Sequence, residues 1–399
     1  MESKRSPQLC DNFKCTGCSA CFNSCPTDAI QMRPHPEEGF YRPIIDVEKC
    51  IKCLKCERSC PVINPVPKNE ESDLIYAAWH LDEEVRASSS SGGAFTALAQ
   101  SVIEQDGIVI GAAYDYSLHL RHIIIEDQND LKMLRASKYF QSDVGDTFKH
   151  AVTNLKLGRK VLFCGTPCQV AGFKAFLGNA YYDNLILVDF ICHGVPSPLF
   201  FHSYLKWVEK KYGKIKDFKF RNKNKGWYDA LRIAIGKRDY VMKGKYDSYW
   251  TGFNDNITLQ EACYDCRFLG KNRNSDITIG DFWGIGQNIS FGHKDEIEKG
   301  VSLIMVNTPN GEILFESSCR YLKTFKRSLE EVLTGNHAMI RSSIRPVTRN
   351  IFYQDLKGTD YDTVRLKYLR PSLKSRFIKI LREYMPKKFI ESLRIIYQK

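Results

Sequence analysis

Eight cysteines arranged in two copies of one pattern constrain this chain more than anything else in it. The first run is Cys15-x2-Cys18-x2-Cys21-x3-Cys25-Pro26, and the second is Cys50-x2-Cys53-x2-Cys56-x3-Cys60-Pro61. Two-residue gaps let three thiolates curl round one iron-sulfur cube, while the fourth cysteine, carried past by three residues and a proline turn, reaches the other cluster. The spacing therefore predicts one 4Fe-4S cluster on Cys15, Cys18, Cys21 and Cys60, and a second on Cys50, Cys53, Cys56 and Cys25. Zinc also takes thiolates, but usually as two pairs separated by a loop, which a doubled four-cysteine run fits poorly. Nine of the fifteen cysteines lie between Cys10 and Cys60. Disulfides at such gaps would be strained or reduced, so the chain is expected in the cytoplasm with its thiols free for metal. Cys10, outside both quartets, reads as a spare thiol.

The remainder is long enough for a separate core. Hydrophobic residues make up 43% and charged residues 26% of 399, the range of ordinary globular domains. No apolar run approaches the ~20 residues of a membrane span, and the polar start lacks the apolar centre of a secretion signal. The proline- and charge-rich stretch from Pro61 to Asp73 reads as a linker, giving a first domain over residues 1–66. Beyond it, strands are predicted at 108–113, 123–126, 161–164, 185–191, 216–220, 230–235, 276–279 and 301–306. Helical spacing falls near 94–104, 145–157, 167–177 and 198–211. Such alternation predicts an α/β sheet domain over 74–343, so the whole chain mixes α+β and α/β parts. The net charge of +12 is mostly a property of the end, because residues 365–399 alone carry +9. Residues 344–399 are read as a basic helical tail, with Phe377, Ile380, Leu381 and Tyr384 on one helical face.

Four features stand out in the second domain: Cys164-Gly165-Thr166-Pro167-Cys168-Gln169, Cys192-His193-Gly194-Val195-Pro196, Cys263-x2-Cys266 and Asp276-Ile277-Thr278-Ile279-Gly280-Asp281-Phe282-Trp283-Gly284. Loops after the carboxyl ends of parallel strands build the crevice of such sheets, so Cys164, Cys168 and Cys192 are placed to converge there, with Cys263 and Cys266 completing a site. Five thiols exceed a four-ligand metal site, and zinc or a Cys164–Cys168 redox disulfide also satisfies the residues. The run Ser88-Ser89-Ser90-Ser91-Gly92-Gly93-Ala94 precedes a helical segment, as where a phosphate meets a helix N-terminus. A plain serine cap explains it equally well.

The eight outer cysteines resemble bacterial two-cluster ferredoxins. The ordered set Ser91-Gly92-Gly93, Lys138-Tyr139, Cys164 to Gln169, Cys192-His193-Gly194, Cys263-x2-Cys266 and Gly280 to Gly284 resembles the coenzyme F420 hydrogenase/dehydrogenase beta-subunit family from about Leu74 to Ser343. The resemblance implies an FAD-binding α/β domain with one further 4Fe-4S cluster. By position, Cys168, Cys192, Cys263 and Cys266 match the ligands of that cluster, and Cys164 is an extra thiol. Ser91, Gly92, Gly93, Lys138, Tyr139 and Ser142 match the flavin region, with Thr166 adjacent, and Arg221-x-Lys223-x2-Gly226-Trp227 resembles a family feature near the flavin. What is implied is an oxidoreductase joining a one-electron partner protein, three clusters, FAD and a small hydride substrate, of which coenzyme F420 is one candidate. His193 and Asp281 lie near the implied site without an assigned role. A non-catalytic relay subunit with an empty flavin site is the alternative. The basic tail leaves three readings open: an anionic membrane face, an acidic partner, or packing on its own domain. Nucleic-acid binding is not expected, since the core is nearly neutral and carries no reading motif.

Overall fold

The computed structural model describes residues 5–228, 231–237, 239–242 and 247–370. Its N-terminal part builds the doubled cysteine pattern into two short helices, Ala20–Ser24 and Lys55–Arg58, beside an antiparallel strand pair, Ile30–Pro34 with Tyr41–Ile45. Each helix starts from a left-handed residue, Ser19 at φ 64° and Leu54 at φ 59°. The repeat seen in sequence is thus a repeat of backbone conformation.

The larger part is organised by an eight-stranded mixed sheet among the described residues. In spatial order its strands are Leu322–Arg327, Ile75–His80, Ser302–Val306, Ile277–Asp281, Leu185–Phe190, Val161–Gly165, Ile108–Tyr114 and Leu120–Ile125. The four from Ile277–Asp281 to Ile108–Tyr114 are mutually parallel, and the outer ones antiparallel. Both faces of a parallel sheet are covered, which explains the continuous apolar runs. Val109 and Leu162 face the helices Ala94–Ile103 and Pro309–Ser318, while Ile108, Ile110, Val161 and Phe163 face Thr147–Lys156 and Pro167–Leu177.

A second, antiparallel sheet, Ile215–Asn222, Leu231–Gly236 and Tyr240–Met242, packs with the Pro198–Tyr212 helix around Phe200, Tyr204, Phe218 and Tyr249. The buried Arg232–Asp247 ion pair, at 2.7 Å, ties this sheet to the following helix. Helices Arg349–Gly358 and Tyr361–Tyr368 insert Phe352, Tyr353 and Val364 into the same core. Residues 344–370 of the expected tail therefore pack on the body of the protein. The helical face of Phe377 to Tyr384 lies outside the described residues. The stretch read as a linker is strapped down: Lys68 Nζ donates to the Leu269 carbonyl, Asn274 Nδ2 to Pro67, and Asn69 N to Arg273.

His122, on the Leu120–Ile125 strand, is buried against Phe163, and its Nε2 lies 3.2 Å from the Cys164 carbonyl. Burial pushes its pKa from 6.5 down to about 4. Between those values the unfolded chain binds a proton that the folded chain refuses. Stability should be complete above pH 6.5 and fall by on the order of 3 kcal/mol as pH drops toward 4. His122→Gln, which keeps a donor for Cys164, should flatten part of that limb in urea titrations run across the range.

Candidate functional site

The N-terminal thiols line two cavities, and Cys56 lines both. The first is lined by Cys15, Cys18, Cys21 and Cys60, together with Cys10 and Cys56. The second is lined by Cys25, Cys50, Cys53 and Cys56. Left-handed turns at Gly17 and Ser19, and at Lys52 and Leu54, curl each run around its cavity. Burial raises the pKa of Cys15, Cys18 and Cys21, and the Cys60 thiol adds to each shift through charge. Cys10, a spare thiol by sequence, lines the first cavity beside Cys60, and its proximity lowers the Cys60 thiol's pKa. Among the described residues no three His, Cys, Asp or Glu side chains gather in a set that would hold a single metal ion.

A third thiol group lies at the carboxyl ends of the parallel strands. Cys168 opens the Pro167–Leu177 helix, Cys192 follows the Leu185–Phe190 strand, and Cys263 and Cys266 come from the turn after Gln260. Each keeps some exposed surface. Burial still pushes Cys168 up to about 11 and Cys263 up to about 12, and Cys192 is raised by burial and then by Cys263, Cys168 and Cys266 in turn. Four thiols that act on one another this way form one neighbourhood, and a positively charged iron centre would relieve the cost of ionising them. Cys164 does not act on this set. It packs into the core of the sheet, where burial raises its pKa to about 12 and Lys138 opposes the shift.

Three contacts join this third group to the first cavity. On the Pro167–Leu177 helix Gly172 stands one turn beyond Cys168, and a Cβ there would lie 2.8 Å from the Cys18 sulfur. Only glycine allows that approach. Cys10, Cys60, Cys168 and Cys266 share one apolar cluster with Val62, Ala171 and Phe268. Gln260, 2% exposed, donates from Nε2 to the Cys15 carbonyl at 2.6 Å, from its own N–H to Val195, and accepts from Cys263 N–H. Gln260 thus joins a turn of the first site, through its side chain, to two loops of the third, through its backbone. Arg42 completes the junction. Its guanidinium is buried, donates to the Asn12 and Tyr41 carbonyls, and lies within electrostatic reach of both Cys15 and Cys263.

The segments matched to the flavin region meet around another centre. Ser137 N–H donates to Ser90 Oγ, and Lys223 Nζ reaches the Ser91, Arg86 and Lys299 carbonyls. Arg221 bridges the Tyr139 hydroxyl at 3.3 Å and Asp281 at 3.0 Å, Trp227 Nε1 donates to Asp281 at 2.7 Å, and Trp227 stacks on Trp283. Ser142 accepts from Gln169, and Thr166 caps the Pro167–Leu177 helix with its hydroxyl 3.1 Å from the Cys168 sulfur. Lys138 Nζ donates to the Met133 and Arg135 carbonyls, and burial pushes its pKa down to about 7. The two glycines have a reason inside the protein: a Cβ on Gly92 would sit 2.3 Å from the Ala78 carbonyl, and one on Gly93 3.0 Å from His80. Gly92 N–H is already bonded to Ser302. What remains open is Arg135, whose Nη1 donates to Ser88 while Nε is buried with no partner among the described residues. His193 sits against Phe253, its pKa lowered by burial.

A doubled cysteine module clamped to an α/β sheet that carries its own thiol set defines an iron-sulfur redox protein of two joined parts. The comparisons give the family. The model for the C-terminal part of the coenzyme F420 hydrogenase/dehydrogenase beta subunit matches residues 158–326, the model for its N-terminal part matches 75–149, and a "4Fe-4S dicluster domain" model matches 14–64. The chain belongs to the coenzyme F420 hydrogenase/dehydrogenase beta-subunit family, a family of oxidoreductases, with a 4Fe-4S dicluster domain in front. Among solved structures it is similar to a chain of the xenon-derivatised F420-reducing NiFe hydrogenase complex from Methanosarcina barkeri, at 18% identity and a TM-score of 0.46, over 76% of this chain and 94% of that one. No curated protein matches it. Among the described residues, no helix is long and apolar enough to cross a membrane.

Gln260→Leu should strand the Cys15 carbonyl without a donor. A loss of about 1–3 kcal/mol is expected, read as a lower urea midpoint at unchanged m-value.

Proposed function

We propose that the chain is an iron-sulfur flavoprotein oxidoreductase that passes electrons between a one-electron carrier protein, three 4Fe-4S clusters, FAD and a two-electron substrate. The observation that carries this reading is that Cys60 of the second run lines the cavity of Cys15, Cys18 and Cys21 while Cys25 of the first run lines that of Cys50 and Cys53, with the first cavity clamped to a third thiol group. Cys15, Cys18, Cys21 and Cys60 would hold one cluster, Cys25, Cys50, Cys53 and Cys56 the second, and Cys168, Cys192, Cys263 and Cys266 the third. The FAD site would be drawn from Ser91, Gly92, Gly93, Lys138, Tyr139, Ser142 and Thr166, with the orphaned Arg135 Nε as a donor suited to a phosphate oxygen. A bound flavin exchanges hydride on one side and single electrons on the other, which suits a junction between clusters and a two-electron substrate.

The chain's own contribution is electrostatics and orientation. Arg221, held by Asp281 and stacked over Trp283, fixes the Tyr139 hydroxyl. Lys223 gathers three backbone carbonyls beside Ser91 and so sets that turn. Coenzyme F420 is the substrate the family points to first, with other hydride acceptors as rivals. A relay subunit without flavin is the second reading, favoured by Gly92 and Gly93 having packing reasons of their own.

Anaerobically reconstituted protein should contain about twelve irons and one FAD. Cys192→Ala should retain about eight irons and the outer clusters' paramagnetic signals, yet lose flavin bleaching by an electron-donating carrier. Undiminished flavin reduction in that variant sinks the proposed route, and absence of FAD affinity in the parent favours the relay.

A further inference from the structure

The two cysteine repeats are related by a shift of 35 residues, and that relation puts three cations in a telling place. Lys52, Lys55 and Arg58 of the second copy stand where the first copy has Gly17, Ala20 and Asn23. Backbone conformation is preserved at the first of these pairs, with φ 66° at Gly17 and 54° at Lys52. The surroundings are opposite. A Cβ on Gly17 would lie 2.2 Å from the Gln141 side chain, Ala20 is fully buried in the core with Val170 and Phe173, and Asn23 Nδ2 donates to the Gly145 carbonyl. That face of the first copy is the one docked on the α/β domain. The equivalent face of the second copy is exposed and carries Lys52, Lys55 and Arg58 beside the exposed Ile51.

We propose that the second site, bounded by Cys25, Cys50, Cys53 and Cys56, is the outer end of the electron path, and that the face of Ile51, Lys52, Lys55 and Arg58 docks an acidic one-electron carrier protein. This rests on the cluster reading given above and adds its order and its port. Internal docking is taken by the first copy through Cys18 against Gly172 and Cys15 against Gln260. The second cavity is lined by residues of the N-terminal module alone. Its rim is basic in net terms. Glu57 is consumed by Arg5 at 2.6 Å and by Gln8 N–H, and Asp46 lies 3.7 Å from Lys49, which leaves Glu48 as the near carboxylate without an ion pair. Lys52, Lys55 and Arg58 make no ion pair among the described residues, and Arg58 also holds the Cys53 carbonyl. Cations spaced by three residues around an exposed apolar residue, above a cluster cavity, match a partner that is acidic around its own redox centre.

The test uses the full-length, anaerobically reconstituted chain and an acidic two-cluster bacterial ferredoxin as probe. Association is measured at low and high ionic strength for the parent, for Lys52→Glu with Lys55→Glu, and for a control reversal, Lys206→Glu with Lys210→Glu, on the Pro198–Tyr212 helix. The port reversal should slow association by about tenfold or more at low salt, and the difference should shrink at high salt. Iron content and bleaching by dithionite should stay at parental values, and the control should associate like the parent. Fully loaded parent that does not bind the ferredoxin, a port reversal that binds as well, a control that loses as much, or a reversal that abolishes only binding to anionic vesicles would each overturn the proposal. Missing iron in the parent would instead overturn the cluster reading beneath it.

Discussion

Everything in this molecule turns on how closely the Cys15–Cys18 turn can approach the α/β domain. Three residues decide it. Gly17 has no side chain to collide with Gln141, Gly172 has none to collide with Cys18, and Gln260 supplies the one hydrogen bond that the Cys15 carbonyl takes from the other domain. A Cβ at Gly172 would press directly on the Cys18 side chain, and one at Gly17, besides displacing the Gln141 amide, would lie 2.8 Å from the Tyr41 carbonyl in a left-handed turn that favours glycine. The interface is otherwise fastened at its edges, by Glu38 with Arg349, Asp28 with Lys149 and Tyr41 N–H with Gln141. Those contacts hold the module in place, but the glycines and Gln260 set the gap.

Charge is the second constraint. Burial raises the thiols of Cys168, Cys192 and Cys263 so that they resist ionisation, Cys266 adds to all three shifts, and Cys192 is raised further by Cys263 and Cys168. Ionising such a set is costly unless something positive compensates it. Arg42 supplies part of this from the protein side, placed between Cys15 and Cys263 with backbone carbonyls as its hydrogen-bond partners. The remainder would come from metal, so filling the sites and settling the fold are thermodynamically linked. Cys10 acts in the same direction at Cys60, where a fifth thiol lines the first cavity and eases ionisation of its neighbour.

Much of this is legible in the sequence because spacing is local information. The interleaved quartets follow from gaps of two and three residues, and the buried parallel strands from runs such as Val161 to Cys164. The strand Ile75–His80 escapes because Ile-Tyr-Ala-Ala-Trp-His alternates poorly, and Leu322–Arg327 because an edge strand rich in lysine and arginine resembles a loop. Gly92 and Gly93 suggest a phosphate cradle, whereas the structure gives each a steric reason against Ala78 and His80. Gln260, Arg42 and Cys10 carry no local signal. Their roles exist only once segments distant in the chain are brought together, as Cys15 and Gln260 are across more than two hundred residues.

The module's interleaving has a consequence for how the parts cohere. Cys60 ends the second cysteine run yet lines the first cavity, and it also shares an apolar cluster with Cys168 and Cys266 of the third group. The first cavity is therefore incomplete until the whole stretch from Cys15 to Cys60 has closed, and its closure brings Val62 down onto Ala171 and Phe268. Residues 64–69, strapped along the 269–275 segment, follow directly from that anchor. Loading the first site would thus pull on both domains at once, whereas the second site, walled by the module alone, would load without stressing the interface. The two copies of the repeat differ in their surroundings: one is built into the body of the protein, and the other faces outward.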